Sequence, residues 1–555
     1  MFRNILYKAF SLKGSREVAA FNRDSGNCAA TQSQRLLQIV SKNADTEYGK
    51  KHDFASIKCV SDFQKAVPVC DYDTLSERIE RIANGEKNIL TSEQPFMFAT
   101  TSGTTGSRKL IPVTASYLTE FRKASVTSGY HMLKHFPGVA QGVALSIFSP
   151  AEEGRTAGNL PYGAISGRLY HSEPALIRRH ISPLPYEIFL IKDYETRYYT
   201  LLRCALVLPI ACIYTLNPST IALLGRRLKL YGERLIDDIK RGVISPPGLM
   251  PDAAHAAIGR FLRKDLARAK FLQDLWEKDQ FVADKVWPSL SLISCWTKAA
   301  ASFYLQDFPD LFGDVPVCDI TYGASEGRGT VFLSPERQAL AIRSHFFEFI
   351  ETEKMEKGSH ETLTASQLEM GKEYYILFTT SAGLYRYHIN DIVRVSDWFN
   401  DTPCLEFLHK GGNVSSFTGE KLTESQVTEA ASQCARLENL SLRFFTVIPE
   451  FRPEPHYQLW FESQKMLNEA QLFQLAERFD QCLSESNSEY EVKRSSMRLA
   501  APKAFQLAAN TYENLRKQMV ANGMPDAQIK ISHLNPKPEI KALLKERITA
   551  IPLPA

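Results

Sequence analysis

The 555-residue chain holds 66 basic and 62 acidic residues, net charge +4, with 44% hydrophobic and 23% charged residues. That is ordinary for a soluble globular protein and too long for one hydrophobic core, so two or more domains are expected. The near balance of charge makes no demand for nucleic acid or an anionic membrane as partner.

The N-terminus carries charges at Arg3, Lys8, Lys13, Arg16 and Glu17, which leaves no signal-peptide core. Gln32–Val40 reads as an amphipathic helix, followed by the turn-rich stretch Asn43–Phe54. Next comes the densest chemical signal, Phe98-Ala-Thr-Thr-Ser-Gly-Thr-Thr-Gly-Ser-Arg-Lys109. Gly103 and Gly106 allow backbone N–H groups to converge on anionic oxygens, Thr101, Ser102, Thr104 and Thr105 add hydroxyl donors, and Lys109 adds charge. The spacing is not that of a Walker A loop, and such clusters are also found as plain polar turns. The run of donors ending in a basic pair favours phosphate binding.

Farther along, strand-like runs at Gly142–Phe148 and Leu290–Cys295 alternate with helical patterns such as Ala253–Glu277, which indicates an α/β fold. Between them lies an aromatic-rich region with Tyr162, Tyr170, Tyr194, Tyr198 and Tyr199, suited either to an acyl pocket or to core. The longest uncharged apolar run, Cys204–Leu216, is too short to span a bilayer, is broken by Pro209, and reads as buried core. Ten cysteines without a CxxC pair point to reduced thiols in a cytoplasmic protein.

Two shorter motifs follow. In Ile320-Thr-Tyr-Gly-Ala-Ser-Glu-Gly327 a short strand enters a turn where Tyr322 can pack on a base and Glu326 can hold Mg²⁺ through oxygen. In Leu384-Tyr-Arg-Tyr-His-Ile-Asn-Asp391, after the strand Tyr374–Phe378 and the turn Ser381–Gly383, Asp391 is suited to a ribose diol. Each alone is equally a structural turn, and Arg386 with Asp391 equally a structural ion pair.

After Phe407 the pattern changes. Leu442–Ile448 and His456–Phe461 read as a hairpin, Asn468 as the cap of a helix with Leu472, Leu475, Ala476 and Phe479 on one face, and Thr511 as the start of a helix stopped at Asn522-Gly523. With Lys410-Gly-Gly-Asn413 as linker, the domains expected are 1–409 and 410–555.

In this order the three motifs resemble the core motifs of the adenylate-forming superfamily of acyl-CoA synthetases, peptide-synthetase adenylation domains and luciferases. Ser102–Pro112 and Gly383–Asp391 look like the auxin-responsive acyl acid–amido synthetase family, as do Leu216–Thr220, Pro161–Gly167 and Trp287–Leu290. The resemblance covers nearly the whole chain. It implies a large N-terminal adenylate-forming domain with helix-flanked sheets and a small mobile α+β C-terminal domain. The activity implied is ATP- and Mg²⁺-dependent activation of a carboxylic acid and its transfer to an amine, the acceptor being an amino acid. The oligomeric state stays open, with a monomer favoured. By the same resemblance Thr101–Gly106 and Lys109 hold the phosphates, and Tyr322 lines the adenine with Gly323 and Ser325 in its turn. Glu326 meets the metal, Asp391 takes the ribose, and Lys421 and Lys530 serve from the mobile domain. Two departures stand out: Asn535-Pro-Lys537 makes Lys537 a rival to Lys530, and Cys295–Ala301 replaces the Gly-rich adenine platform. An acyl-CoA synthetase and a catalytically silent nucleotide-binding protein are the alternatives.

Overall fold

The structure, a computed structural model, describes the whole chain except residues 1, 103–107, 299–303, 412–413, 416–419, 421, 451–453, 496–498, 523, 525–528, 530, 537 and 551–555. It separates into two compact units, one of Met1–Thr297 with Asp307–Phe407, the other of Lys298–Gln306 with Leu408–Ala555. The mixed α/β class and the small α+β second part follow the reading of the sequence.

Among the described residues the first unit contains three sheets. One is wholly parallel, in the order Val143–Ser146, Ile210–Tyr214, Leu292–Cys295, Val317–Asp319. Its middle strands read as continuous apolar runs because both faces are covered by the helices that parallel connections require. The apolar run Cys204–Leu216 is indeed buried core, but it is two elements: the end of the helix Tyr194–Ala205 and the strand Ile210–Tyr214. The helix expected across Ala253–Glu277 is likewise divided, into Asp252–Ile258 and Leu266–Glu277, with Asp265 capping the second through the Arg268 N–H. A local cap here overrides an apolar periodicity that runs straight through it.

The second sheet has seven strands, in the order Leu363–Thr364, Phe346–Glu351, Glu373–Thr379, Tyr387–Phe399, Thr402–Lys410, Arg337–Leu340, Thr330–Ser334. Its long central hairpin turns at Asn400, whose φ of 52° is the left-handed conformation a tight turn demands. The third sheet holds Met97–Ser102 and Arg108–Val113 as antiparallel neighbours, with Pro161–Gly163 and Gly154–Arg155 beside them. Next in the chain is the helix Ala115–His135, capped by Thr114 through the Tyr117 N–H. Its residues Tyr117 and Glu120, three apart and so on one face, are both buried.

In the second unit the hairpin Leu442–Glu450 and His456–Ser463 is extended by Lys503–Leu507 and Ile548–Ala550. Helices Glu424–Leu437 and Glu469–Ser486 begin in reciprocal capping boxes, Thr423 with Gln426 and Asn468 with Gln471. Leu472, Leu475, Ala476 and Phe479 are buried, as their helical spacing requires. The expected linker begins inside a strand, since Lys410 closes Thr402–Lys410, and residues 412–413 lie outside the described ones.

Candidate active site

The donor-rich motif is the connection of a β-hairpin. Thr101 pairs with Lys109 and Ser102 with Arg108, so residues 103–107 join two antiparallel strands. Those five residues, Gly103, Thr104, Thr105 and Gly106 among them, lie outside the described ones, as do the side chains of Thr101 and Ser102. At the base of the hairpin the Lys109 ammonium stands 5.2 Å from the centroid of the Tyr72 ring. Asp71, the cap of the helix Tyr72–Ala83, is beside it. Hydrogen bonds from Thr74, helped by the charge of Lys109, hold the Asp71 carboxyl below its usual range. Lys109 therefore lies against the Tyr72 ring and within electrostatic reach of the Asp71 carboxylate.

The second motif is a compact turn that closes on itself. Gly323 and Arg328 form an antiparallel bridge, the Ala324 N–H donates to the Gly327 carbonyl at 2.9 Å, and the Gly329 and Thr330 N–H groups donate to the Tyr322 carbonyl at 3.0 and 3.1 Å. The strand before it, Val317–Asp319, ends earlier than Ile320. The Tyr322 N–H is held by Thr330 Oγ1 at 2.9 Å and by Gln338 Oε1 at 3.2 Å. Tyr117 Oη donates to the Ser325 carbonyl at 2.8 Å, and Ser325 Oγ lies 3.5 Å from the Thr100 carbonyl on the loop-bearing strand. Glu326 is buried in the turn.

The third motif places Arg386 and Asp391 in different surroundings. Arg386 does not pair with Asp391. It donates through Nε to Glu348 at 3.0 Å, through Nη1 to the carbonyls of Gln64 and Val67 at 2.9 and 2.7 Å, and through Nη2 to Thr362 Oγ1 at 2.6 Å. Four of the five donors of this buried fork are thus spent on the fold. Asp391 Oδ2 instead accepts the Tyr322 hydroxyl at 2.8 Å. Burial, reinforced by this carboxylate, pushes the Tyr322 hydroxyl far above its ordinary range, so it stays protonated and donates. The Tyr322 ring stacks on Phe407 at 5.5 Å and 8°. The Tyr322–Asp391 hydrogen bond therefore joins the second motif to the third, and the Ser325–Thr100 contact joins it to the first. Of the aromatics offered as pocket or core, Tyr170 and Tyr199 are core: the first donates to the Ser182 carbonyl at 2.9 Å, the second to Asp238 at 2.7 Å.

Comparison with known proteins identifies the family. The GH3 family N-terminal domain matches residues 17–317, the central domain residues 338–410 and the C-terminal domain residues 423–539. The chain belongs to the GH3 family. The resemblance seen in its motifs is to this family. An indole-3-acetic acid-amido synthetase of Arabidopsis thaliana, GH3.3, is 25% identical over 97% of this chain and 95% of its own length. A jasmonoyl–L-amino acid synthetase of Nicotiana attenuata, JAR4, is 24% identical over 80% of each. Among solved structures, the GH3.15 acyl acid amido synthetase has the same fold, with TM-score 0.84, 21% identity and coverage of 96% and 97%.

Within these GH3 matches the central domain takes in Asp391, while the turn of Tyr322 to Arg328 falls between the N-terminal and central matches. The C-terminal match takes in Lys530 and Lys537. Lys421, Lys530 and Lys537 all lie outside the described residues. The segment between the two late lysines is firmly tied. His533 and Asn535 exchange hydrogen bonds with Val447, at 2.8 and 2.7 Å, and Glu424 accepts from the Ser532 hydroxyl at 2.9 Å. Tyr117 and Gln338, which grip the Tyr322 turn, carry no motif in the sequence. Only the Thr114 cap, which sets the phase of the following helix, bears on Tyr117. Among the described residues no helix is long and apolar enough to cross a membrane.

Proposed function

We propose that this GH3 chain uses ATP and Mg²⁺ to adenylate a carboxylic acid and then transfers the acyl group to the amine of an amino acid. The observation that carries this reading is the Tyr322–Asp391 hydrogen bond, which with the Ser325–Thr100 contact gathers three distant motifs at one place.

A carboxylate cannot expel oxide, so it must first be given a phosphate leaving group. One carboxylate oxygen attacks the α-phosphorus, the bond to the β-phosphate oxygen breaks, and pyrophosphate departs with the electron pair. The amine nitrogen then attacks the acyl carbon, AMP leaves, and the nitrogen loses a proton. In this scheme Thr101–Gly106 and Lys109 hold the phosphates, and Tyr322, with Gly323 and Ser325, lines the base. Asp391 takes the ribose hydroxyls. The hold of Tyr322 on Oδ2 fixes the direction of this carboxylate. Glu326 is the hard oxygen donor suited to Mg²⁺. The metal, when bound, offsets the negative charge gathered as carboxylate and phosphates approach. Lys530 and Lys421, on the proposed mobile domain 410–555, serve adenylation against the ATP- and acid-binding domain 1–409. The relatives, an indole-3-acetic acid-amido synthetase and a jasmonoyl–L-amino acid synthetase, support an amine over coenzyme A as acceptor.

The test is acid-dependent exchange of pyrophosphate into ATP across a panel of carboxylic acids. Product analysis by mass spectrometry follows, with pooled amino acids and with coenzyme A. No exchange with any acid refutes the reading. Exchange followed by thioester and no amide refutes the acceptor.

A further inference from the structure

Behind the Tyr322–Arg328 turn lies a buried polar chain that none of the motifs contains. His345 is fully buried, and its Nε2 accepts the Arg328 backbone N–H at 3.2 Å. That nitrogen must therefore be unprotonated, which places the ring proton on Nδ1, 3.4 Å from Glu120 Oε2. This separation is long for a hydrogen bond but close for an electrostatic orienter. The other Glu120 oxygen is taken by Arg35 and by the Ser381 hydroxyl. Burial pushes the Glu120 carboxyl up, yet His345, Arg35 and Ser381 outweigh it and leave it below the usual range. Burial, with Arg35 nearby, likewise keeps the imidazole neutral.

The ring is locked from its backbone as well. The His345 carbonyl accepts Gln32 Nε2 at 2.8 Å, and the Ser344 carbonyl accepts Arg35 Nε at 3.0 Å. Tyr117, which holds the Ser325 carbonyl, stacks on the same imidazole at 5.7 Å and 20°. The imidazole also packs closely on Gly327, where an added Cβ would meet His345 Cδ2 at 2.9 Å and Nε2 at 3.0 Å. The turn is thus gripped twice, at Ser325 and at Arg328, with Glu326 and Gly327 between the grips. Glu120 also reaches Ser381, just ahead of the third motif, and it stands on the helix that follows the first.

We propose that His345, oriented by Glu120, is a positioning residue for adenylation: it fixes the Ser325–Arg328 backbone so that Ser325 and Glu326 are presented to the nucleotide and metal. This rests on the function proposed above. The Nε2 acceptor is the working part, so a side chain that keeps an acceptor there retains the role, and one that fills the space without it does not.

The experiment compares His345→Leu with His345→Gln by amide hydrogen exchange of the Tyr322–Arg328 peptide and by pyrophosphate exchange. Loss of one buried acceptor should speed Arg328 amide exchange about tenfold in His345→Leu, with a similar fall in turnover. His345→Gln should keep both near wild type, because its amide retains an acceptor for the Arg328 N–H and a donor toward Glu120, while both variants lose thermal stability to a similar degree. A merely structural residue would make both variants fall together, in step with their melting temperatures, and that result overturns the role. So does unchanged Arg328 exchange in His345→Leu. If His345→Leu does not fold, Glu120→Gln should show the faster amide exchange, and its absence is equally fatal. A wild-type protein inactive with every acid refutes the adenylation reading and the catalytic half of this role. The amide exchange still decides, by itself, whether His345 holds the turn.

Discussion

Replacing Tyr322 by Phe deletes one hydroxyl and leaves the ring on Phe407 in place. The bond removed is 2.8 Å long, made to a carboxylate, with both residues buried. A hydrogen bond to a charged group contributes about 1.5–3 kcal/mol, more than one between neutral partners. If that bond aims Asp391 at the ribose, the same energy appears in ATP affinity, a loss of roughly 10- to 150-fold. Calorimetric titration with ATP measures it directly, and the KM for ATP in pyrophosphate exchange should rise in parallel. The coupling is checked by adding Tyr322→Phe to Asp391→Ala, where it should cost little further affinity because its partner is gone. ATP affinity within twofold of wild type, with only thermal stability reduced, would show that the bond serves the fold and not the nucleotide.

Three other outcomes follow from the same structure. Lys530→Ala should be defective from acid and ATP yet competent when preformed acyl-AMP is supplied, as single-turnover amide formation will show. If Lys537→Ala behaves this way in its place, the roles are exchanged. Arg386→Met should cost about 3–5 kcal/mol in denaturant unfolding, because it leaves Glu348, which is 1% exposed, without its cationic partner. A loss under about 1 kcal/mol would contradict the structural role of that arginine. The third concerns pH. Burial holds the His345 imidazole below its ordinary value of 6.5, so the unfolded chain takes up a proton there before the folded one does. Its stability contribution is complete above about pH 6.5 and is lost as pH falls from there through the depressed folded value. The charged groups around it are Glu120 and Arg35, with Arg328 and Glu326 on the turn. Melting scans between pH 7 and pH 5 should show a fall that His345→Gln flattens, and an equal fall in both proteins would remove His345 as its source.

Local chemistry was written plainly in the sequence. Asn468 with Leu472, Leu475, Ala476 and Phe479 determines a capped amphipathic helix because caps and spacing act within a few residues. The donor run around Gly103 and Gly106 and the order of the three motifs likewise determined the family resemblance and the chemistry to expect. What periodicity cannot state is which partner a buried side chain meets. Asp391 lies 69 positions from the tyrosine that holds it, and Glu120 lies 225 positions, by sequence number, from the histidine it faces. Arg386 stands five residues before Asp391 yet spends its guanidinium on Glu348, because pairing of Phe346–Glu351 with Glu373–Thr379 and of that strand with Tyr387–Phe399 sets which side chains share the interior. Proximity along the chain suggested an ion pair. Strand register chose another, since a buried cation must satisfy its donors wherever the fold places acceptors.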